Sequence, residues 1–194
     1  MAKGLLIEGS YGAGNAALSS AMLISFQGAS SNTSTSHIFY KLIGDTALEM
    51  ARNSSPVNQV SSEEMDRLIV SFNAFEVVPW LFDNGYRPTS ESHLCRALSC
   101  SVIAYIAAAS KSHGNPKIQA MYYYDISVAL YQHFLSFKAD KYLHWALQAV
   151  KCSIKVLPTS NELWDAAGVY LSNLDTRLSQ HAFIQAVQIS RSVS

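Results

Sequence analysis

Ala146-Leu147-Gln148-Ala149-Val150-Lys151-Cys152-Ser153-Ile154-Lys155-Val156-Leu157-Pro158, followed by Thr159-Ser160-Asn161-Glu162-Leu163-Trp164-Asp165-Ala166-Ala167-Gly168, is the stretch that decides the fold. Small Ala146, large Val150 and small Ser153 recur at four- and three-residue spacing, which puts them on one helical face and lets a second helix approach closely. Leu157-Pro158 ends that helix, because proline brings no amide hydrogen to it. Thr159 and Glu162 have the spacing of a capping box, so a new helix is expected to begin there, with bulky Trp164 and small Gly168 one turn apart. After a turn through Asn173, Leu174 and Asp175, the segment Ser179 to Ala186 supplies a partner helix in which Phe183 is large and Ala186 small.

The same frame recurs upstream. Tyr123, Ile126 and Ser127 take the bulky, large and small places, with Leu130 and Tyr131 a turn later and an enlarged link expected around Phe137 to Lys141. Tyr40, Ile43 and Gly44 take them again in the segment His37 to Asp45. A helix with a bulky, a large and a small residue, paired with a helix reading small, large, small and closed by proline, is the grammar of the tetratricopeptide repeat. The expected fold is therefore all-α, an α-solenoid of tetratricopeptide-like helix pairs with an irregular insertion. Residues 118–190 read as two such repeats, and residues 1–110 as degenerate helical repeats with a connector and the insertion. The inward packing positions in this frame are Trp164, Tyr123 and Tyr40, and the close crossings are at Gly168, Ser127 and Gly44.

Within the first part, Tyr11 to Phe26 is alanine-rich with helical spacing, and Gly28 with the run Ser30 to Ser36 connects it to the helix at His37. Arg52-Asn53-Ser54-Ser55-Pro56 breaks the pattern, after which Ser61 and Glu64 offer a second capping box before Met65. Phe75 to Tyr86 reads as an apolar packed insertion, because Pro79 and the lack of a second strand argue against a β reading of Val77-Val78-Pro79-Trp80-Leu81-Phe82. Glu91 to Ala109 is helical, and Lys111 to Pro116 is a loop.

The 194 residues carry 14 Lys+Arg against 14 Asp+Glu, so the chain offers no basic field to hold a phosphate backbone and direct nucleic-acid binding is disfavoured. A hydrophobic content of 49% with 14% charged residues implies apolar surface meant for neighbouring repeats or partner chains. Cys95, Cys100 and Cys152 are an odd number without paired metal spacing, which reads as reduced and buried thiol. The apolar run at the N-terminus is too short for a signal peptide, and Arg96 interrupts Leu94 to Ala109, the nearest approach to the ~18 residues a membrane span needs. A cytoplasmic protein, or one also nuclear, is the expectation.

No catalytic, cofactor or metal constellation is legible. Gly9-Ser10-Tyr11-Gly12-Ala13-Gly14 lacks dinucleotide spacing and the Gly-Lys-Ser/Thr of a phosphate loop. His37, His93, His113, His133, His144 and His181 include no pair spaced for zinc on one helical face. Asn32-Thr33-Ser34 and Asn53-Ser54-Ser55 match a glycosylation sequon but lack a secretory context. Of Tyr122, Tyr123 and Tyr124, Tyr123 is expected in the core and its neighbours toward an interface.

Leu163-Trp164-Asp165-Ala166-Ala167-Gly168-Val169 and Leu178 to Ala186 make the chain resemble the large tetratricopeptide scaffold of the Ski (superkiller) complex, which follows a similar tryptophan helix with a similar Gln-His-x-Phe-Ile segment. The helices at Phe39 to Asp45 and Tyr123 to Ser127 fall in an order similar to that family's middle region. The resemblance covers roughly residues 37–189. It departs at Ala167, usually leucine there, and at Ser127, usually glycine. The resemblance implies a non-enzymatic scaffold that holds an RNA helicase and β-propeller subunits and so supports cytoplasmic 3′-to-5′ mRNA decay by the exosome. The competing expectation is a peptide-binding adaptor of the co-chaperone type. Such adaptors clamp acidic tails with Lys and Asn on successive turns of the first helix, where this chain has Lys41 with Asp45, Tyr124 with Val128, and Asp165 with Val169.

Overall fold

A small residue set against an aromatic ring organises each half of the molecule. The computed structural model describes residues 11–30, 35–53, 59–112 and 114–193, and these are helical with no strand among them. Nine α-helices are seen in the described residues. They are α1 (Tyr11–Ser30), α2 (Ser36–Arg52), α3 (Gln59–Ser71), α4 (Pro79–Asp83), α5 (His93–Ser110), α6 (Pro116–Phe137), α7 (Asp140–Val156), α8 (Asn161–Leu171) and α9 (Thr176–Val193). A short 3-10 turn, Ala74–Glu76, precedes α4. The fold is all-α, built of packed helix pairs of the α-solenoid class. It divides into two compact units, Met1–His113 and Gly114–Ser194.

In the second unit α6 packs on α7, and α8 on α9, with α7 also against α8. Asn115 starts α6 by accepting from the amides of Lys117 and Ile118, with Pro116 at the first helical position, where a missing amide hydrogen costs nothing. The link to α7 is Lys138 and Ala139, with Lys138 left-handed at φ 54°, so the enlarged link expected at Phe137 to Lys141 is absent. The extra residues lengthen α6 instead, which runs 22 residues. Pro158 does end α7, whose last helical residue is Val156. The capping box at Thr159 does not form: α8 starts at Asn161 and its N-cap, Ser160, makes no side-chain capping bond. At the next helix start, Asp175 takes the capping role, accepting from the amides of Arg177 and Leu178.

In the first unit α2 packs most extensively on α5, a helix far away in sequence, and α1 lies against α2. Ser101, Tyr105 and Ala108 on α5 repeat the small, large, small spacing of Ala146, Val150 and Ser153, and all three are buried. A Cβ at Gly44 would sit 2.5 Å from the Tyr105 ring, just as one at Gly168 would sit 2.7 Å from the Phe183 ring. The α2–α5 pair is therefore built like the α8–α9 pair, with the segment from Asn53 to Ser92 inserted between its two helices. Asp66 on α3 ties that insertion down, accepting from Ser90 Oγ at 2.6 Å and Arg96 Nε at 3.0 Å. Val78, Leu81 and Tyr86 are buried within it. Phe75 to Tyr86, read from the sequence as an apolar packed insertion, lies within it, whereas Ser61 and Glu64 both fall inside the bounds of α3 rather than ahead of it. Tyr11 to Gly14 is helical backbone, and Gly9 and Ser10 fall outside the described residues, as do Asn32, Ser54 and His113.

By length and composition α5 is apolar enough to cross a membrane, with mean hydropathy 1.3, yet 72% of it is buried by the chain itself. It serves as the central core helix of its unit.

The frame places a large side chain at Gly168 in direct conflict with Phe183. Gly168→Leu should destabilise the chain by about 1–3 kcal/mol through overpacking. Trp164→Ala should cost less than the roughly 3–5 kcal/mol of a buried aromatic, because Trp164 is only half-buried. Urea unfolding of both variants checks the order, with Gly44→Leu expected to behave like Gly168→Leu.

Candidate protein-docking surface

The signature residues divide into those that build the helix crossings and those that line the surface. Ile43, Gly44, Ile126, Ser127, Ala146, Val150, Ser153, Gly168 and Ala186 are buried. Tyr40, Tyr123, Trp164 and Phe183 are half-buried, and Pro158 is exposed. Trp164 thus does not point into the core: its indole Nε1 donates to the Pro158 carbonyl at 2.9 Å, which lays the ring along the end of α7. Neighbouring Leu163 takes the buried place. The tyrosine assignment is also corrected. Tyr122 is 4% exposed and shares a buried stripe with Ile126, Ala129 and His133, while Tyr123 sits on the margin of that stripe.

Polar side chains at the crossings are satisfied across helices. Ser153 Oγ donates to the Ala120 carbonyl at 2.7 Å, and Ser179 Oγ to the Gly168 carbonyl at 2.8 Å. Ser127 Oγ donates to the Tyr124 carbonyl and lies 3.2 Å from the Tyr170 hydroxyl, joining α6 to α8. Tyr170 also packs on Tyr131, with ring centroids 4.5 Å apart. At the α6–α7 turn, His133 stacks on Tyr142 at 4.7 Å, and Tyr142 meets Trp145 edge-on. Lys141 lies over both Tyr142 and Trp145.

What remains outside these crossings is a set of concave faces. In the first unit a groove of about 900 Å³ runs between α1 and α2, walled by Leu18, Ala21, Ile24 and Leu42 and edged by Asp45, Glu49 and Arg52. Asp45 is held by Lys41 Nζ at 2.8 Å and accepts from the Tyr105 hydroxyl at 2.9 Å. A lysine spent in this way is a poor clamp for a peptide carboxylate. In the second unit a groove of about 420 Å³ lies between α8 and α9, bounded by Glu162 and Asp165 on one wall and Phe183, Val187 and Arg191 on the other. Acidic side chains stand where an acidic-tail adaptor needs basic ones.

Among the described residues no three His, Cys, Asp or Glu side chains converge as a metal site. All three cysteines are free; burial raises the Cys100 thiol pKa, with Asp66 adding to the effect, and burial also raises that of Cys152 against the opposing pull of Lys155. Both shifts keep the thiol protonated and unreactive. Burial likewise raises the Tyr123 and Tyr40 hydroxyls.

No family model matches the chain. Among curated proteins, Superkiller protein 3 of Saccharomyces cerevisiae is 31% identical to it over 72 residues, which make up 37% of this chain. The chain spans 5% of that protein's length. This similarity supports a tetratricopeptide-like helical chain, in keeping with the helix pairs and glycine crossings described above. Helical repeats of this kind serve as interaction scaffolds through extended concave surfaces. Sequence reasoning read Glu91 to Ala109 as helical but did not pair this helix, α5, with α2. The spacing of Ser101, Tyr105 and Ala108 marks it, but it stands out of order behind the insertion.

Thiol accessibility gives a direct check on this packing. In iodoacetamide at pH 8 the native chain should modify Cys95 first, Cys152 slowly and Cys100 last. Raising the pH toward 10 should speed Cys152, because a raised thiol pKa moves thiolate formation to higher pH. Mass spectrometry of timed digests reads the order; early alkylation of Cys100 contradicts the buried α3–α5 contact.

Proposed function

We propose that the chain is a non-enzymatic tetratricopeptide-type scaffold that acts through protein–protein contacts, in the manner of the Ski complex scaffold supporting cytoplasmic, exosome-mediated 3′-to-5′ mRNA decay. The observation that carries the reading is the repeated glycine-on-aromatic crossing of Gly44 with Tyr105 and Gly168 with Phe183. It supports repeat-like helix pairs with open faces, and the similarity to Superkiller protein 3 over 72 residues supports a scaffold of that type. By that resemblance the partners are an RNA helicase and β-propeller subunits, and the compartment is the cytoplasm.

The charge balance supports indirect rather than direct contact with RNA. With 14 basic and 14 acidic residues the chain carries no net charge, and the two grooves described above set Asp45 and Glu49 beside Arg52, and Glu162 and Asp165 beside Arg191, with no basic track in either. The co-chaperone adaptor is the weaker reading, since Lys41 is paired to Asp45 and the other clamp positions hold Tyr124, Val128, Asp165 and Val169.

Affinity capture of the tagged chain from cells, with Gly168→Leu as an unfolding control, tests the proposal. Helicase and propeller subunits should co-purify with the parent and be lost with the control. Recovery of chaperones in their place, or tight salt-sensitive binding of RNA by the purified chain, overturns it.

A further inference from the structure

We draw no further inference here: the strongest candidate, the apolar groove of the first unit between α1 and α2 walled by Leu18, Ile24 and Leu42, is edged by Asp45 and Glu49 together with Arg52, and nothing in the structure shows what covers it.

Discussion

The distance of closest approach between paired helices governs this molecule. Where Gly44 faces Tyr105 and Gly168 faces Phe183, a helix backbone touches an aromatic ring with no room for a methyl group. The absence of a side chain on one helix is what allows a large flat one on the other, packed directly on the backbone at the crossing. Glycine in a helix interior is unfavourable by about 1 kcal/mol relative to alanine. Its use at matching places in both units shows that the packing gained by close approach outweighs the local cost.

Serine offers a second solution to the same geometry. Ser127 stands where the other two pairs have glycine, and its hydroxyl is absorbed by the Tyr124 carbonyl and the Tyr170 hydroxyl. Ser153 and Ser179 hand their protons to carbonyls of the paired helix. Each such bond contributes about 0.5–1.5 kcal/mol net, and an unmet hydroxyl at the same depth would cost more than that. Small polar residues at a crossing therefore fix the register of two helices as well as their separation. The Tyr170 contact extends this from a pair to its neighbour, since it links the first helices of consecutive pairs.

Local spacing made most of the second unit legible in the sequence. Pro158 and the turn at Asn173 to Asp175 depend on residues within a few turns of one another, and α7 ends at Val156 and α9 begins at Thr176 beside them. The readings that failed needed information from elsewhere. Trp164 satisfies the bulky place in the frame, but the carbonyl that holds its indole belongs to the preceding helix. The choice between Tyr122 and Tyr123 depends on the rotation of a 22-residue helix, which three consecutive tyrosines leave open. Thr159 and Ser61 have capping spacing, yet α8 starts two residues past Thr159 and α3 starts two residues before Ser61. The pairing of α2 with α5 is non-local, so no window of sequence contains it. The two open faces between helices were legible only as a general excess of apolar residues.

The insertion between α2 and α5 also divides the chain by the order in which it acquires structure. α6 meets α7 across two residues and α8 meets α9 across a short turn, so those contacts need little chain closure. α2 must wait for a helix that begins about 40 residues later, and closing such a loop carries an extra entropic barrier that grows with the logarithm of its length. Contact order is thus high in the first unit and low in the second. On the ribosome, the side of α2 that packs on α5 emerges before α5 and lacks that cover until α5 has been made, while the α6–α7 and α8–α9 pairs can each close soon after their second helix is synthesised. That side of α2 is the stretch in need of shielding during synthesis, and once α5 exists the bonds from Ser90 and Arg96 to Asp66 hold its start against α3.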